Sequence, residues 1–384
     1  MNDTPNGWRR GRLEDFVFLQ RGFDITEMQA KAGNVPVISS SGYSYSHNEA
    51  KANPPGVVIG RKGKLGGIYR VDVPFWPHDT TLWVKDFKGN APDFVAVFLE
   101  FMQLERLDAA TSVPTLNRNN VHVLPVVFPP LPEQRKIAEI LGTWDAAIER
   151  VARLIAALQR RKQGLMQRLL TGKVRFPEFA GEAWATEKAG NIFQPFSKRN
   201  NGEEELLSVT QDQGVVPRSM LETRVVMPAG STEGYKLVES GDFIISLRSF
   251  QGGIEYSNYR GLVSPAYTVL KPTIAIVDSF YKHLFKSQEF IARLGVAIIG
   301  IRDGKQINFA DFAALRLVKP SLKEQLKIAQ VLDICDDEIR LHQQYLAALR
   351  QQKQGLMQRL LTGQVRVPVA TTANAPASAA NQAG

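Results

Sequence analysis

LPEQRKIAEILGTWDAAIERVARLIAALQRRKQGLMQRLLTGKVRFP, Leu131 to Pro177, recurs as LKEQLKIAQVLDICDDEIRLHQQYLAALRQQKQGLMQRLLTGQVRVP, Leu322 to Pro368, at a constant offset of 191 residues. Of the 47 aligned positions 26 are identical, and the run KQGLMQRLLTG (Lys162 to Gly172, Lys353 to Gly363) is unchanged. Shared helical periodicity preserves residue class, not identity, so this is an internal repeat, and it organises the fold. The inward positions of the first copy are Ile137, Leu141, Trp144, Ile148, Val151, Ile155, Leu158, Lys162, Leu165 and Leu169, in steps of four and three. That is a heptad seam. The second copy repeats it at Ile328, Leu332, Cys335, Ile339, His342, Leu346, Leu349, Lys353, Leu356 and Leu360. Pro132 stands where a first helix begins; Gly172 and Gly363 stand where C-cap glycines belong, each with a proline five residues on. Each copy therefore predicts a helix of about 35 residues, about 50 Å long. Gly164 and Gly355 weaken those helices by about 1 kcal/mol each relative to alanine.

Two long helices with exposed apolar seams need partners, and the nearest is each other. An intramolecular coiled coil follows, set against the alternative that both helices pack into larger cores. The segment between them can close an antiparallel pair or, with more reach, a parallel one. With each globular segment fixed to the start of its following helix, antiparallel pairing puts the two at opposite ends of a rod. The globular segments carry short β-like runs, Pro36–Ser39, Gly56–Ile59, Thr81–Val84, Asp242–Ser246 and Ala266–Leu270, separated by Gly, Pro and Asn turns. Both open near a tryptophan, Trp8 or Trp184, and close in register at Leu116-Asn117 and Ile307-Asn308. The expected fold is α/β (α+β): two globular domains and two long helices in an antiparallel coiled coil, with a pseudo-twofold internal repeat. The expected boundaries are 1–130, 131–177, 178–321, 322–369 and a disordered Ala/Asn/Thr/Ser-rich tail at 370–384.

Composition narrows the function. The 384 residues, 44% hydrophobic and 22% charged, are ordinary for a folded chain of two or three domains. Runs of about 18 apolar residues are missing, as is a signal-peptide core at MNDTPNGWRR, so the expectation is a cytoplasmic protein without a membrane partner. A single cysteine, Cys335, and five scattered histidines give neither a disulfide framework nor a zinc-ligand spacing. The net charge of +9 makes a polyanion a reasonable partner, although residues 131–177, with 10 basic against 4 acidic side chains, carry most of it. A solvated helix face accounts for much of that surplus.

A variable module, then a helix opening PPLPEQRKIAEIL (Pro129 to Leu141) and ending QGLMQRLLTG, then a second module and KPSLKEQLKIAQVL (Lys319 to Leu332) with the same ending, resembles the specificity subunit of type I restriction-modification enzymes. The resemblance covers nearly the whole chain. It implies that the modules are target recognition domains, each reading one half of a split site in double-stranded DNA. It also implies that the helices space the modules and dock methyltransferase subunits, two being expected, alongside motor-nuclease subunits. On that reading this chain holds no cofactor; S-adenosylmethionine, ATP and Mg belong to the partners. A rod of about 50 Å matches roughly 15 base pairs, placing half-sites about one helical turn apart. Lys323 replaces Pro132 and Cys335 replaces Trp144 in the second copy, so the two helix starts are not expected to meet identical partners.

Catalytic signatures are missing. Gly63-Lys64, Gly172-Lys173 and Gly304-Lys305 lack the upstream glycine of a P-loop. Asn53-Pro54-Pro55-Gly56 resembles an amino-methyltransferase motif, but Gly56 stands where an aromatic must stack on the flipped base, so a turn is the better reading. Asp24 with Glu49-Ala50-Lys51 has the composition of a nuclease carboxylate set at a spacing that arises by chance. His47, His78, His122, His283 and His342 have no neighbouring nucleophile pattern. The chain is expected to be non-catalytic; a fused methyltransferase or nuclease, and a scaffold or inhibitor without sequence reading, are the rivals.

For DNA contacts in the first module the leading stretch is Gly60-Arg61-Lys62-Gly63-Lys64-Leu65-Gly66-Gly67, three cations in a glycine-rich loop after an apolar strand, able to approach phosphates closely. A solvated hairpin turn is the plain alternative. His78 and Thr80, with Asn117 and Arg118, add polar groups; arginine suits guanine edges and asparagine adenine edges. In the second module Ser246 to Gly253 occupies the equivalent place, offering Arg248, Ser249 and Gln251, with Lys198, Arg199, Arg302, Lys305 and Gln306 as secondary candidates.

Overall fold

The computed structural model describes residues 4–107, 114–211, 213–221, 232–247, 249–297 and 307–368. The tail at 370–384 and the candidates Arg248, Arg302, Lys305 and Gln306 lie outside the described residues. The two repeat copies form helices Leu131–Leu169, 39 residues, and Leu322–Leu361, 40 residues. Both are longer than the spacing predicts, about 60 Å at 1.5 Å per residue. They run through Gly164 and Gly355 unbroken because the turn that follows each glycine is anchored by buried Met166 and Leu169, or Met357 and Leu360. Packing overrides the weak propensity. Each helix stops as its glycine predicts: Gly172 (φ 69°) and Gly363 (φ 72°) are left-handed, and the amides of Val174 and Val365 bond back to Arg168 O and Arg359 O.

The chain divides into two compact units, residues 1–151 with 345–384, and residues 152–344. Each unit combines one globular module with part of each long helix. In the first, Lys353 Nζ lies 2.6 Å from Asp145 Oδ1, and Arg366 grips Glu133 through two 2.8 Å bonds. In the second, Lys162 pairs with Asp336, and Arg175 grips Glu324 at 2.9 and 2.7 Å. As one helix is ascended the other descends, so the pairing is antiparallel in both units. The 191-residue offset maps each of these pairs onto its counterpart with the helices exchanged. Every position of both predicted seams is buried or half-buried, the lysines included.

The EQ dipeptide of each copy is a socket for its module. Glu133 and Glu324 are 2% and 0% exposed, and each also accepts an indole N–H, from Trp8 at 3.1 Å or Trp184 at 2.7 Å. Gln134 accepts from the amide of Ala91 and donates to Pro129 O; Gln325 accepts from Val277 and donates to Pro320 O. Buried polar groups are thereby matched on both sides, which orients each module against its helix.

Each module grows from an antiparallel ribbon, Arg9–Arg12 with Pro125–Phe128 in the first and Ala185–Lys188 with Arg316–Lys319 in the second. Above the first ribbon stands a four-stranded antiparallel sheet in the order Phe18–Arg21, Thr81–Asp86, Gly56–Gly60, Ile68–Val71. A three-stranded sheet, Gly42–His47, Val35–Ser39 and Trp76–Pro77, lies in the same module. The second module repeats the larger sheet as Phe193–Phe196, Thr268–Pro272, Phe243–Ile245 and Glu255–Tyr256. The cores are aromatic. Phe16, Phe94, Phe98 and Phe128 join Ile137, Leu141 and Leu360 in one; Phe193, Phe243, Tyr281, Phe285 and Phe312 join Leu169, Ile328 and Leu332 in the other. Module and helices thus share one core in each unit.

Candidate nucleic-acid interface

In the first module, three stretches far apart in sequence meet at one end of the larger sheet. Strand Gly56–Gly60 delivers the loop from Arg61 to Gly67. Arg61 and Lys62 both donate backbone bonds to Thr80 O, at 2.9 and 3.1 Å; Leu116 donates to Arg61 O at 2.8 Å, and Gly63 to Pro114 O at 3.1 Å. The candidate loop is therefore pinned between residues 78–80 and 114–118. A side chain at Gly60 is barred, since its Cβ would lie 2.2 Å from Lys64 O as the loop folds back.

Arg61, Asn117 and Arg118 line a depression of about 360 Å³ together with Arg21, Leu82, Thr115 and Asn119. Asn117 caps the short helix Arg118–His122 by accepting from the Asn119 amide at 2.9 Å, and its NH2 has no partner among the described residues. Arg118 is half-buried over the Phe18 ring, 5.8 Å from its centroid. Burial, then the nearby Arg21 charge, pulls the Arg61 pKa down from its ordinary value, with Asp79 opposing. Three guanidiniums line one depression whose other lining residues are Leu82, Thr115, Asn117 and Asn119, and that positive charge fits a polyanion. Lys62 and Lys64 are exposed beside it.

His78 and Thr80 have a different part from the one expected. Both are half-buried. His78 Nε2 lies 3.0 Å from Ile25 O, and its Nδ1 lies 2.9 Å from Thr80 Oγ1 and 3.0 Å from Asp79 Oδ1, so the ring holds its neighbours in place and has no free edge. Thr80 Oγ1 accepts from the Ser40 amide as well. These residues position Asp79, which receives Arg21 Nη2 at 2.9 Å. Arg21 was not among the sequence candidates, because its partner lies 58 residues away. Asp24 groups with His78 and Asp79 and not with Glu49, which pairs with Lys51. The nuclease-like set does not assemble.

In the second module the loop after Phe243–Ile245 again joins two paired strands of the larger sheet, as its sequence predicts. Ser249 is 1% exposed, and its hydroxyl accepts from the Ser246 amide at 2.8 Å; it caps a turn and presents nothing to a ligand. Gln251 is exposed on the short helix Ser249–Gly252, and Lys198 and Arg199 are exposed beyond strand Phe193–Phe196. Lys286 ties the loop down, donating to Gly252 O at 2.9 Å and pairing with buried Glu255. At the places of Arg21 and Arg118 this module has Phe196 and Phe309. The two faces carry different chemistry on the same frame.

Two modules that share a ribbon and a four-stranded sheet of one strand order, each seated by an EQ socket on an antiparallel helix pair, define a duplicated scaffold. A family model described as the type I restriction modification DNA specificity domain matches residues 5–160 and again 186–351, and the chain belongs to that family. It is 25% identical over 276 residues to the putative type I restriction enzyme MjaX specificity subunit of Methanocaldococcus jannaschii, covering 67% of this chain and 63% of that relative. The MjaVIII specificity subunit of the same organism is also 25% identical, over 300 residues, 71% of this chain and 70% of the relative. The solved S subunit of a type I restriction-modification system from M. genitalium shares the fold, with a TM-score of 0.61 at 15% identity over 94% of this chain and 98% of that one. A chain from a structure of type I system assembly and conformational transition gives 0.57 at 18% identity, over 95% and 100%. Among the described residues no helix is long and apolar enough to cross a membrane.

Proposed function

We propose that this chain is the non-catalytic DNA-recognition subunit of a type I restriction-modification system. Each module reads one half of a bipartite double-stranded site, and the helix pair holds the reading modules and docks methyltransferase subunits. The observation that carries the reading is the meeting of Arg21, Arg61, Asn117 and Arg118 around one depression, flanked by the exposed Lys62 and Lys64. Lysines on phosphates supply affinity that is blind to sequence and falls with salt, while arginine and asparagine on base edges supply selection. The differing faces of the two modules favour unlike half-sites. Support for docking comes from the second helix, where Leu322, Leu326, Ile334 and Leu341 are 47%, 49%, 65% and 57% exposed at helical spacing. An apolar stripe of that kind needs a partner. S-adenosylmethionine, ATP and Mg are assigned to the partner subunits.

The test is base-resolution mapping of methyladenine in host DNA with and without this gene, the methyltransferase gene left intact. Loss of one split motif on deletion is the expected result. An unchanged methylome alongside intact binding of the partner subunits would leave an assembly scaffold without sequence reading.

A further inference from the structure

We propose that Arg21, held by Asp79, reads a guanine in the half-site recognised by the first module. This rests on the DNA-recognition reading above and assigns a specificity residue within it. The cations of the depression differ in two properties, exposure and fixation. Lys62 and Lys64 are exposed, and their side chains make no ion pair or hydrogen bond among the described residues. Arg61 is half-buried, with Nη1 3.3 Å from Asp79 O, and Arg118 is half-buried over Phe18. Arg21 alone among these five combines an exposed side chain, at 57%, with an ion pair, 2.9 Å to Asp79 Oδ2. Asp79 is itself fixed: its side chain is 18% exposed, its second oxygen lies 3.0 Å from His78 Nδ1, and His78 is anchored on Ile25 O.

That arrangement suits a base edge better than a phosphate. Guanine presents N7 and O6 as neutral acceptors that a planar guanidinium matches with two parallel donors, and a guanidinium already oriented loses less freedom on binding. One of the five N–H donors of Arg21 goes to Asp79, which leaves the fork usable. The carboxylate also offsets the charge of Arg21, weakening its pull on a phosphate while leaving its hydrogen-bond geometry intact. Unpaired Lys62 and Lys64 have the reverse properties and belong on the backbone. The corresponding position in the second module is Phe196, so the assignment is confined to the first half-site.

The test uses the full chain in complex with its methyltransferase subunits. Methylome motifs in the host and binding to duplexes bearing single substitutions are compared for Arg21→Ala, Arg21→Lys, Asp79→Asn and the pair Lys62→Ala with Lys64→Ala. Arg21→Ala should relax one guanine position of one half-site, lowering discrimination there by about 5- to 150-fold, with the other half-site unchanged. Arg21→Lys keeps the charge and lacks the fork, so it should relax the same position, as should Asp79→Asn. The lysine pair should weaken binding to all sequences and flatten its salt dependence with the motif intact. An unchanged motif in Arg21→Ala and Arg21→Lys overturns the assignment, as does a half-site without guanine or a uniform loss of affinity in Arg21→Ala that Arg21→Lys restores. A methylome that survives deletion of the whole gene is a separate outcome, and refutes the underlying DNA-recognition reading.

Discussion

Replacing Glu324 by alanine should destabilise the second unit more than the same change at Glu133 destabilises the first. The two sockets have the same partners but unequal access to water. Arg175, left behind by Glu324→Ala, has a side chain 16% exposed, whereas Arg366, left behind by Glu133→Ala, is 42% exposed. Removing one member of a buried ion pair costs about 3–5 kcal/mol, because the remaining charge is stranded. Arg175 lies near that limit, and its indole neighbour Trp184 also loses its acceptor. Arg366 regains solvent, which lowers its share to about 2 kcal/mol on the same scale. At about 2–4 °C per kcal/mol for units of this size, Tm should fall about 6–20 °C for Glu324→Ala and about 4–8 °C for Glu133→Ala. Calorimetry reads the order of the two, and hydrogen exchange reports which ribbon loosens, 185–188 with 316–319 or 9–12 with 125–128. Equal drops, or a larger one for Glu133→Ala, would refute the argument from residual exposure.

Gly172→Ala should cost about 1–2 kcal/mol for its left-handed backbone, since the added Cβ would sit 3.5 Å from Trp184; Gly363→Ala should cost about 1–3 kcal/mol more, its Cβ falling 2.4 Å from Pro5 Cγ. Urea titration of the two variants checks the difference. Lys353, 7% exposed and bonded to Asp145, should tolerate methionine within about 1 kcal/mol, while Asp145→Ala leaves the ammonium only Glu100, 3.6 Å away, and costs about 1–3 kcal/mol; thermal melts that rank them the other way contradict a seam built on that pair. Burial holds the His283 pKa below its ordinary 6.5 despite Asp333, so its contribution is complete above about pH 6.5 and is lost as pH falls through the lower folded value. At Glu133 burial pushes the pKa up, but bonds from Arg366, Trp8 and the Val367 amide outweigh it and the net direction is down, so that contribution is lost below about pH 4.5. Stability should therefore decline in two acid stages, the first weakened by His283→Gln; a urea midpoint constant from pH 7 to 5 would count against it.

The long helices were legible because their heptads and C-cap glycines are local signals, and the seam positions are buried as the spacing predicts. Their length was underestimated, since the penalty at Gly164 and Gly355 is small beside packing on both sides. Strands such as Gly56–Gly60 and Thr81–Asp86 were legible from short apolar runs, but the order of the sheet was not, as it pairs residues tens of positions apart. At the candidate site, the glycine-rich loop announced itself by composition. Arg21 did not, because a lone arginine ending a four-residue strand acquires meaning only from Asp79. Ser249 was misread for the opposite reason: a serine three residues after Ser246 is also the signature of a local turn, and the turn is what it makes.

The ribbon at the base of each module has an evolutionary consequence. Because entry and exit strands are hydrogen-bonded neighbours, Arg12 opposite Pro125 and Lys188 opposite Arg316, the chain between them enters and leaves at one pair of adjacent crossings. A foreign insert whose ends lie a strand spacing apart can be grafted there without altering helix register, provided it rebuilds the apolar core against Ile137, Leu141 and Leu360, or Leu169, Ile328 and Leu332, and offers an amide to the waiting glutamine, Gln134 or Gln325. A whole module can then be exchanged at a fixed joint, with no need to re-evolve the frame that carries it.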